Sequence, residues 1–385
     1  MARLDEIFDL QMGKTPSRNN ADYWTDGQYD WVSIADLGSY QKYVEDTKER
    51  ISALAVQESG IKSVPANTVI MSFKLSLGKT AITQEPVYTN EAIMAFIPTG
   101  KYAVLPDYFY YLFSAKDWTK GTNRAVMGTT LNKAILGAVS ITVPPIDEQR
   151  KIAAILDKVS SLIAKRHQQL DRLDELVKSR FVEMFGDILY DTNLPLIQLN
   201  ELADIGSSKR IYANEYVELG VPFYRSKEIR ELGCGLKPSV ELFIKQERYD
   251  EIKDKYGVPK IGDILIAAIG ATIGYSWIVD TENPFYYKDG NLILLSIKNN
   301  VNPIFLNHAL GILIENFKKK GVAGSAQLAL TIEKLEKMMV VNPDFKLQEQ
   351  FATFVTQVDK SKLAIQKSLE QLETLKKALM QEYFV

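Results

Sequence analysis

The sequence predicts an α/β (α+β) chain of two domains in pseudo-two-fold repeat, joined by two long antiparallel helices that form a coiled coil. Three observations predict it. A stretch of about forty residues recurs further along the chain, as Leu170, Leu173 and Leu176 and again as Leu369, Leu372 and Leu375. Both copies carry an apolar heptad pattern sustained for over four heptads. Between the copies lie short apolar runs bounded by turn residues, which read as strands.

The repeat is taken first, because an internal repeat decides the architecture. Lys178 recurs as Lys377, Glu183 as Glu382 and Phe185 as Phe384, and Gln149, Ala153 and Val159 recur as Gln348, Ala352 and Val358. Leu131 and Leu136 match Leu330 and Leu335, and Pro144 matches Pro343. Further upstream the offset drifts. Val69-Ile70 lies opposite Ile264-Leu265, and Trp31-Val32-Ser33 opposite Phe223-Tyr224-Arg225. Closely repeated helices between loosely repeated domains fit a common scaffold that carries two different readers.

In the first helix Ile152, Leu156, Val159, Ile163, Arg166, Leu170, Leu173, Val177, Arg180 and Met184 alternate by four and three. In the second, Phe351, Val355, Val358, Lys362, Ile365, Leu369, Leu372, Lys376, Leu379 and Tyr383 do the same. Neither run contains Gly or Pro. Pro144-Pro145 and Pro343 stop the preceding strands, and Gly186 suits a C-cap. At 1.5 Å per residue each helix spans about 55–60 Å. Two seams of the same register are most simply buried against each other. The chain must run out through one helix and return through the other, so the pairing is antiparallel. The expected boundaries are 1–143 for the first domain, 144–187 for the first helix, 188–343 for the second domain and 344–385 for the second helix. Within the domains, Thr68–Met71, Ile93–Ile97 and Val139–Val143 read as strands. Asp107–Ser114 and Pro303–Phe317 read as helices.

Charge excludes a globally basic surface. Basic and acidic side chains number 14 and 15 in residues 1–143, 8 and 8 in 144–187, 18 and 19 in 188–343, and 6 and 6 in 344–385. Any nucleic-acid contact must therefore come from local clusters. The first ten residues lack the pattern of a signal peptide, and the most apolar stretch, Ile261–Ile273, is too short to cross a bilayer. The single cysteine, Cys234, rules out an internal disulfide. These features place the chain in the cytoplasm, away from membranes.

Catalytic parts are missing. Ser72 to Thr80 ends like a phosphate-binding loop, but Phe73 stands where the leading glycine belongs. Two histidines, His167 and His308, and one cysteine cannot assemble a tetrahedral zinc site. Asn342-Pro343-Asp344-Phe345 approaches the Asn-Pro-Pro-Phe/Tyr loop of adenine methyltransferases but lacks its second proline, and no glycine-rich S-adenosylmethionine loop follows a strand. It reads as a strand-to-helix joint. A methyltransferase fragment and a protein-binding coiled-coil scaffold are the competing functions. Cofactor titration discriminates against the first, and sequence-selective DNA binding against the second.

Val143-Pro144-Pro145-Ile146-Asp147-Glu148-Gln149-Arg150-Lys151-Ile152 leads into the first heptad helix, and Asn342-Pro343 to Gln348-Glu349-Gln350-Phe351 into the second. This organisation resembles the specificity subunit of type I restriction–modification systems over the whole chain. Gly13-Lys14-Thr15-Pro16 resembles the start of that family's first domain, whereas Gly206-Ser207-Ser208-Lys209 departs from it. The resemblance implies two target-recognition domains that each read one half of a split, asymmetric sequence in double-stranded DNA. It implies helices that fix the gap and dock two modification (methyltransferase) subunits, with restriction (translocase and nuclease) subunits joining the complex. The chain itself has no reaction and holds no cofactor or metal; S-adenosylmethionine, ATP and Mg belong to the partners.

Candidate DNA contacts follow from residue type, since Arg, Lys, Asn, Thr and Ser suit phosphates or base edges. In the first domain they are Lys14, Thr15, Ser17 and Arg18; Lys74, Ser76 and Lys79; and Lys120, Asn123, Arg124, Thr129 and Thr130. In the second they are Lys209, Arg210, Arg225, Lys227, Tyr275 and Lys288, with a basic loop carrying Lys318, Lys319, Lys320, Ser325 and Gln327.

Overall fold

Each half of the chain builds a four-stranded antiparallel sheet from short runs whose alternate side chains are buried on opposite faces. The computed structural model describes residues 1–384 except 75, 120–123, 126–127, 130, 191–192 and 322–328. It divides into two units: Met1–Gln168 with Gln366–Val385, and Gln169–Ile365. Both divisions fall inside the long helices, so each unit is a domain together with half of each helix.

In the first unit the strands are β1 (Phe8–Met12), β2 (Val69–Ser72), β3 (Thr80–Ile82) and β4 (Ile93–Pro98), in the order β1-β4-β2-β3. In the second they are β5 (Ala203–Gly206), β6 (Ile264–Ala267), β7 (Ser276–Ile278) and β8 (Leu292–Ile297), in the order β5-β8-β6-β7. The two orders are the same. Both faces of each sheet are covered, which is why these strands read as continuous apolar runs rather than alternating ones. Val69 and Met71 face one core while Ile70 faces another, and Ile264 and Ile266 divide from Leu265 and Ala267 in the same way. Beside each sheet runs a parallel pairing, Trp31-Val32 with Tyr88-Thr89 and Phe223-Tyr224 with Tyr286-Tyr287. The strand expected at Val139–Val143 shrinks to Ser140–Ile141, paired with only Ala2 and Arg3. Its pairing partner is two residues long, and Pro144-Pro145 turns the chain away.

Helix α1 (Pro106–Ala115) covers the first sheet, α2 (Ile146–Phe185) and α4 (Phe345–Phe384) are the heptad helices, and α3 (Pro303–Gly321) is the second-domain counterpart of α1. Each heptad helix has 40 residues. Gly186 closes α2 with φ 74°, its N–H donating to the Val182 carbonyl at 2.8 Å. That is the left-handed terminal position glycine favours. Every seam position is buried or half-buried. In the first unit Ile152, Ala153 and Leu156, near the start of α2, share a core with Leu379, Met380, Tyr383 and Phe384, near the end of α4. In the second, Val177, Phe181 and Phe185, near the end of α2, share one with Phe351, Val355 and Val358, near the start of α4. Start packs with end both times, so the helices run antiparallel.

The repeated proline-to-glutamine segment has a physical role in both units. Gln149 and Gln348 are 0 % and 1 % exposed. The Gln149 Oε1 accepts from the Leu105 N–H at 2.9 Å, and its amide donates to the carbonyls of Ala103 (2.8 Å) and Pro144 (2.9 Å). Gln348 accepts from the Asn302 N–H at 2.9 Å and donates to the Pro343 carbonyl at 2.9 Å. One side chain thus ties the first turn of each heptad helix to the residue or residues that precede α1 or α3. Aromatic contacts extend the junction, with Phe384 against Tyr108 at 5.4 Å between ring centroids and Phe185 against Phe305 at 4.8 Å.

A Gln149→Leu substitution keeps the volume and orphans the part-buried Leu105 N–H, which costs about 1 kcal/mol. Urea unfolding should show a lower midpoint for Gln149→Leu and for Gln348→Leu. Midpoints equal to wild type would mean that the glutamines do not hold the junction.

Candidate nucleic-acid interface

The loop after β1 is fastened by its backbone. Gly13 donates to the Ile93 carbonyl at 3.1 Å and Lys14 to that of Thr89 at 2.8 Å. A Cβ at Gly13 would lie 2.2 Å from the Thr89 carbonyl oxygen, so only glycine permits the approach. The Lys14 carbonyl accepts from Trp31 Nε1 at 3.1 Å, and that of Ser17 from Trp24 Nε1 at 3.2 Å. The Thr15 hydroxyl donates to Glu91 and accepts from Asn90 Nδ2, and the Lys14 ammonium reaches the Ser59 carbonyl. Arg18 lies 3.7 Å above the Trp24 ring centroid and donates to Glu49 at 2.8 Å. Hydrogen bonding to Glu49 raises the Arg18 pKa, and Arg18 in turn lowers that of Glu49.

The second group sits in the turn between β2 and β3. Gly78 has φ 82°, the Lys79 N–H donates to Ser72 Oγ at 3.0 Å, and Ser72 donates to the Ser76 carbonyl. These bonds make a hairpin connection where the sequence faintly resembles a phosphate loop. Lys74 lies 5.2 Å from the Phe73 ring centroid, while Ser76 and Lys79 are exposed. The Leu131 N–H donates to the Phe73 carbonyl at 3.1 Å, which sets this turn beside the end of the third group. In that group the backbone of Arg124 pairs with that of Thr129. Lys120, Asn123 and Thr130 lie outside the described residues, as do Ser325 and Gln327 in the second domain.

The second domain repeats the arrangement with other side chains. The Lys209 N–H donates to the Tyr286 hydroxyl at 2.6 Å, and its ammonium lies 5.2 Å from the Tyr256 ring centroid. Both rings line a cleft of about 340 Å³ beside Ser207, Ser208 and Lys260. Arg210 pairs with Asp289 at 2.8 Å, next to Lys288, whose N–H donates to the Tyr224 carbonyl at 2.9 Å. Arg225 and Lys288 thus leave the same end of the parallel ribbon, with Arg210 paired beside Lys288.

Arg225 has a structural duty. It pairs at 3.0 Å with Glu228, which is 0 % exposed, and at 2.9 Å with Glu241, which also binds Lys227 at 2.6 Å. Hydrogen bonds to Glu228 and then Glu241 push the Arg225 pKa up, and Lys227 and then Arg225 draw that of Glu241 down to about 2. Sequence reading missed Glu228 and Glu241. The capping spacing from Arg225 to Glu228, matched by Ser33 and Asp36, is the signal that could have found the first.

The basic loop expected at Lys318–Gln327 is corrected at its start. Lys318, Lys319, Lys320 and Gly321 belong to the last turn of α3. Lysine is a good helix former, and cations are favoured at the carboxyl end of a helix dipole, so the helix outruns Phe317. Lys318 pairs with Glu315 at 2.6 Å, while Lys319 and Lys320 are exposed. The turn between β6 and β7, which carries exposed Tyr275, lies alongside. A Cβ at Gly274 would come 2.8 Å from Ile314 Cγ2 and 4.0 Å from Lys318 Cδ.

No group of three or more metal-ligating side chains occurs among the described residues, and no described helix is long and apolar enough to cross a membrane. Two like-built domains, each presenting basic and hydroxyl side chains on loops, have the make-up of a nucleic-acid-reading chain. The family comparison agrees. Residues 1–174 and 195–376 match the Type I restriction modification DNA specificity domain, and the chain belongs to that family, whose role is recognition of a DNA target. It is 28 % identical to the MjaIX specificity subunit of Methanocaldococcus jannaschii over 52 % of this chain and 46 % of that one, so this match spans about half the length of that relative. To the MjaVIII specificity subunit of the same organism it is 25 % identical over 99 % of this chain and 90 % of that one. The fold is that of the S subunit from M. genitalium, with a TM-score of 0.59 and 16 % identity over 100 % of this chain and 95 % of the other.

If Lys319 and Lys320 meet phosphates, Lys319→Ala with Lys320→Ala should reduce the slope of log K against log[salt] by roughly 2, one phosphate each. Titration of the assembled complex with target duplex from low to moderate salt measures it. An unchanged slope would remove both lysines from the interface.

Proposed function

We propose that the chain reads a bipartite, asymmetric sequence in double-stranded DNA, one half through residues 1–143 and the other through 188–343. Residues 144–187 and 344–385 act as the spacer and dock two modification subunits. The methyltransferase chemistry and its S-adenosylmethionine lie in those subunits; ATP- and Mg-dependent translocation and cleavage lie in restriction subunits that join them. One observation carries this reading: two units with the same strand order, each with its own cores, present different loop side chains at equivalent places. A shared frame with unlike loops suits two readers with unlike targets. Near-neutral charge in every segment supports weak binding by the chain alone, with partners completing the grip.

The test is a domain exchange. Residues 188–343 are replaced by those of another specificity subunit, and the methylated sites of the resulting complex are sequenced. One half-site should change while the other half and the gap stay. Added residues in the spacer helices should alter the gap instead, since each adds about 1.5 Å against 3.4 Å per base pair. A second-domain exchange that altered both half-sites would overturn the modular reading.

A further inference from the structure

A strap, Gln41 to Val44, lies along the outer edge of the first sheet. The Ile82 N–H of β3 donates to the Lys42 carbonyl at 2.9 Å, and the Val44 N–H donates to the Ile82 carbonyl at 2.9 Å. From this strap the Lys42 side chain, 14 % exposed, turns inward. Its ammonium pairs with Asp107 in the first turn of α1 at 2.6 Å and also with Asp157 of α2. The rings of Tyr43, Tyr110 and Tyr111 surround it, with centroids 5.3, 5.8 and 5.2 Å away. The two carboxylates are themselves held, Asp107 by the Tyr43 hydroxyl at 3.0 Å and Asp157 by that of Tyr111 at 2.7 Å. One cation therefore joins three elements: the sheet edge, the domain helix and the spacer helix.

Among the described residues of the second unit no such hub occurs. Pro106 corresponds to Pro303, so Asp107 falls on Ile304; along the spacer Asp157 falls on Thr356, whose hydroxyl donates to the Ala352 carbonyl at 2.8 Å. There the edge strand β7 is tied instead to the domain helix, Ser276 Oγ donating to Asn307 Oδ1 at 2.7 Å. The attachment through a partly buried charge thus belongs to the first unit.

We propose that Lys42 is a positioning residue that fixes the angle of the first target domain on the spacer helix, and through it the strictness with which the complex selects its gap length. This rests on the bipartite reading above. Core packing holds the domain to the helix. The Lys42 hub, at edge strand β3, resists rocking about that packed contact, because a largely buried ammonium held by two carboxylates and three rings loses more than an exposed pair does when pulled from its partners.

The assembled complex with modification subunits is assayed for methylation of three duplexes: the mapped target, and the same half-sites with the gap one base pair longer or shorter. Wild type should favour its own gap. Lys42→Met should lower that preference by about tenfold, equivalent to about 1.4 kcal/mol. Lys42→Arg, which keeps the charge between the two carboxylates, should retain more of it. A residue needed only for folding would slow all three duplexes together and leave their ratio alone. If Lys42→Met does not assemble, Asp157→Asn removes only the spacer arm and must shift the ratio in the same direction. A wild-type ratio in a folded Lys42→Met or Asp157→Asn complex overturns the proposal. Wild-type methylation that ignored the half-sites altogether would overturn the bipartite reading, and this inference with it.

Discussion

A buried glutamine at the start of each spacer helix is the constraint on which the rest depends. Its amide group meets a backbone N–H and at least one carbonyl of the chain that leads into α1 or α3 or of the proline stretch before the helix. Most of those backbone groups are partly buried and need partners there. An aliphatic side chain would fill the space and satisfy none of them. Because the glutamine sits in the first turn of a 40-residue helix, it sets that helix's starting point and rotation against the domain. The seam that follows then faces its partner without further adjustment.

The helices were legible because their signal is local and periodic. Alternating three-and-four spacing survives at every seam position, and the constant offset between copies doubles it. Phe181 and Phe185 show where that signal stops. Neither is a seam position, yet both are almost fully buried, because the ends of the helices pack on domains as well as on each other. The glutamines were legible only as a family mark. Apart from the proline carbonyls five residues before them, their partners are main-chain atoms 44 to 46 residues away, which leave no trace in side-chain type. The end of α3 was misplaced for the opposite reason, since three lysines suit a helix terminus as well as a loop.

The candidate interface was legible as chemistry and opaque as arrangement. Lysines, arginines and hydroxyls could be named, but not that Arg18, Arg210, Arg225 and Lys227 each rest on a carboxylate from elsewhere in the chain. Glu49 is 31 residues from Arg18, and Asp289 is 79 from Arg210. Such pairing explains how a chain with near-neutral segments can carry ordered cations. The carboxylates hold the guanidinium groups in place and mute their field, so a phosphate must compete with an acid already present.

The division of the chain has a consequence for its synthesis. The second unit is one continuous stretch, 169–365, whereas the first needs 366–385 to complete it. Leu379, Met380, Tyr383 and Phe384 belong to the core of the first domain, some two hundred residues downstream of the helix turns they cover. On the ribosome the domain made first therefore waits with an uncovered apolar face, while the domain made second can close upon itself. Late closure of that kind lengthens the interval in which exposed core surface invites association with other chains. It also makes the first domain depend on residues 379–384 having been made, so that a product ended before them would carry an unfinished core.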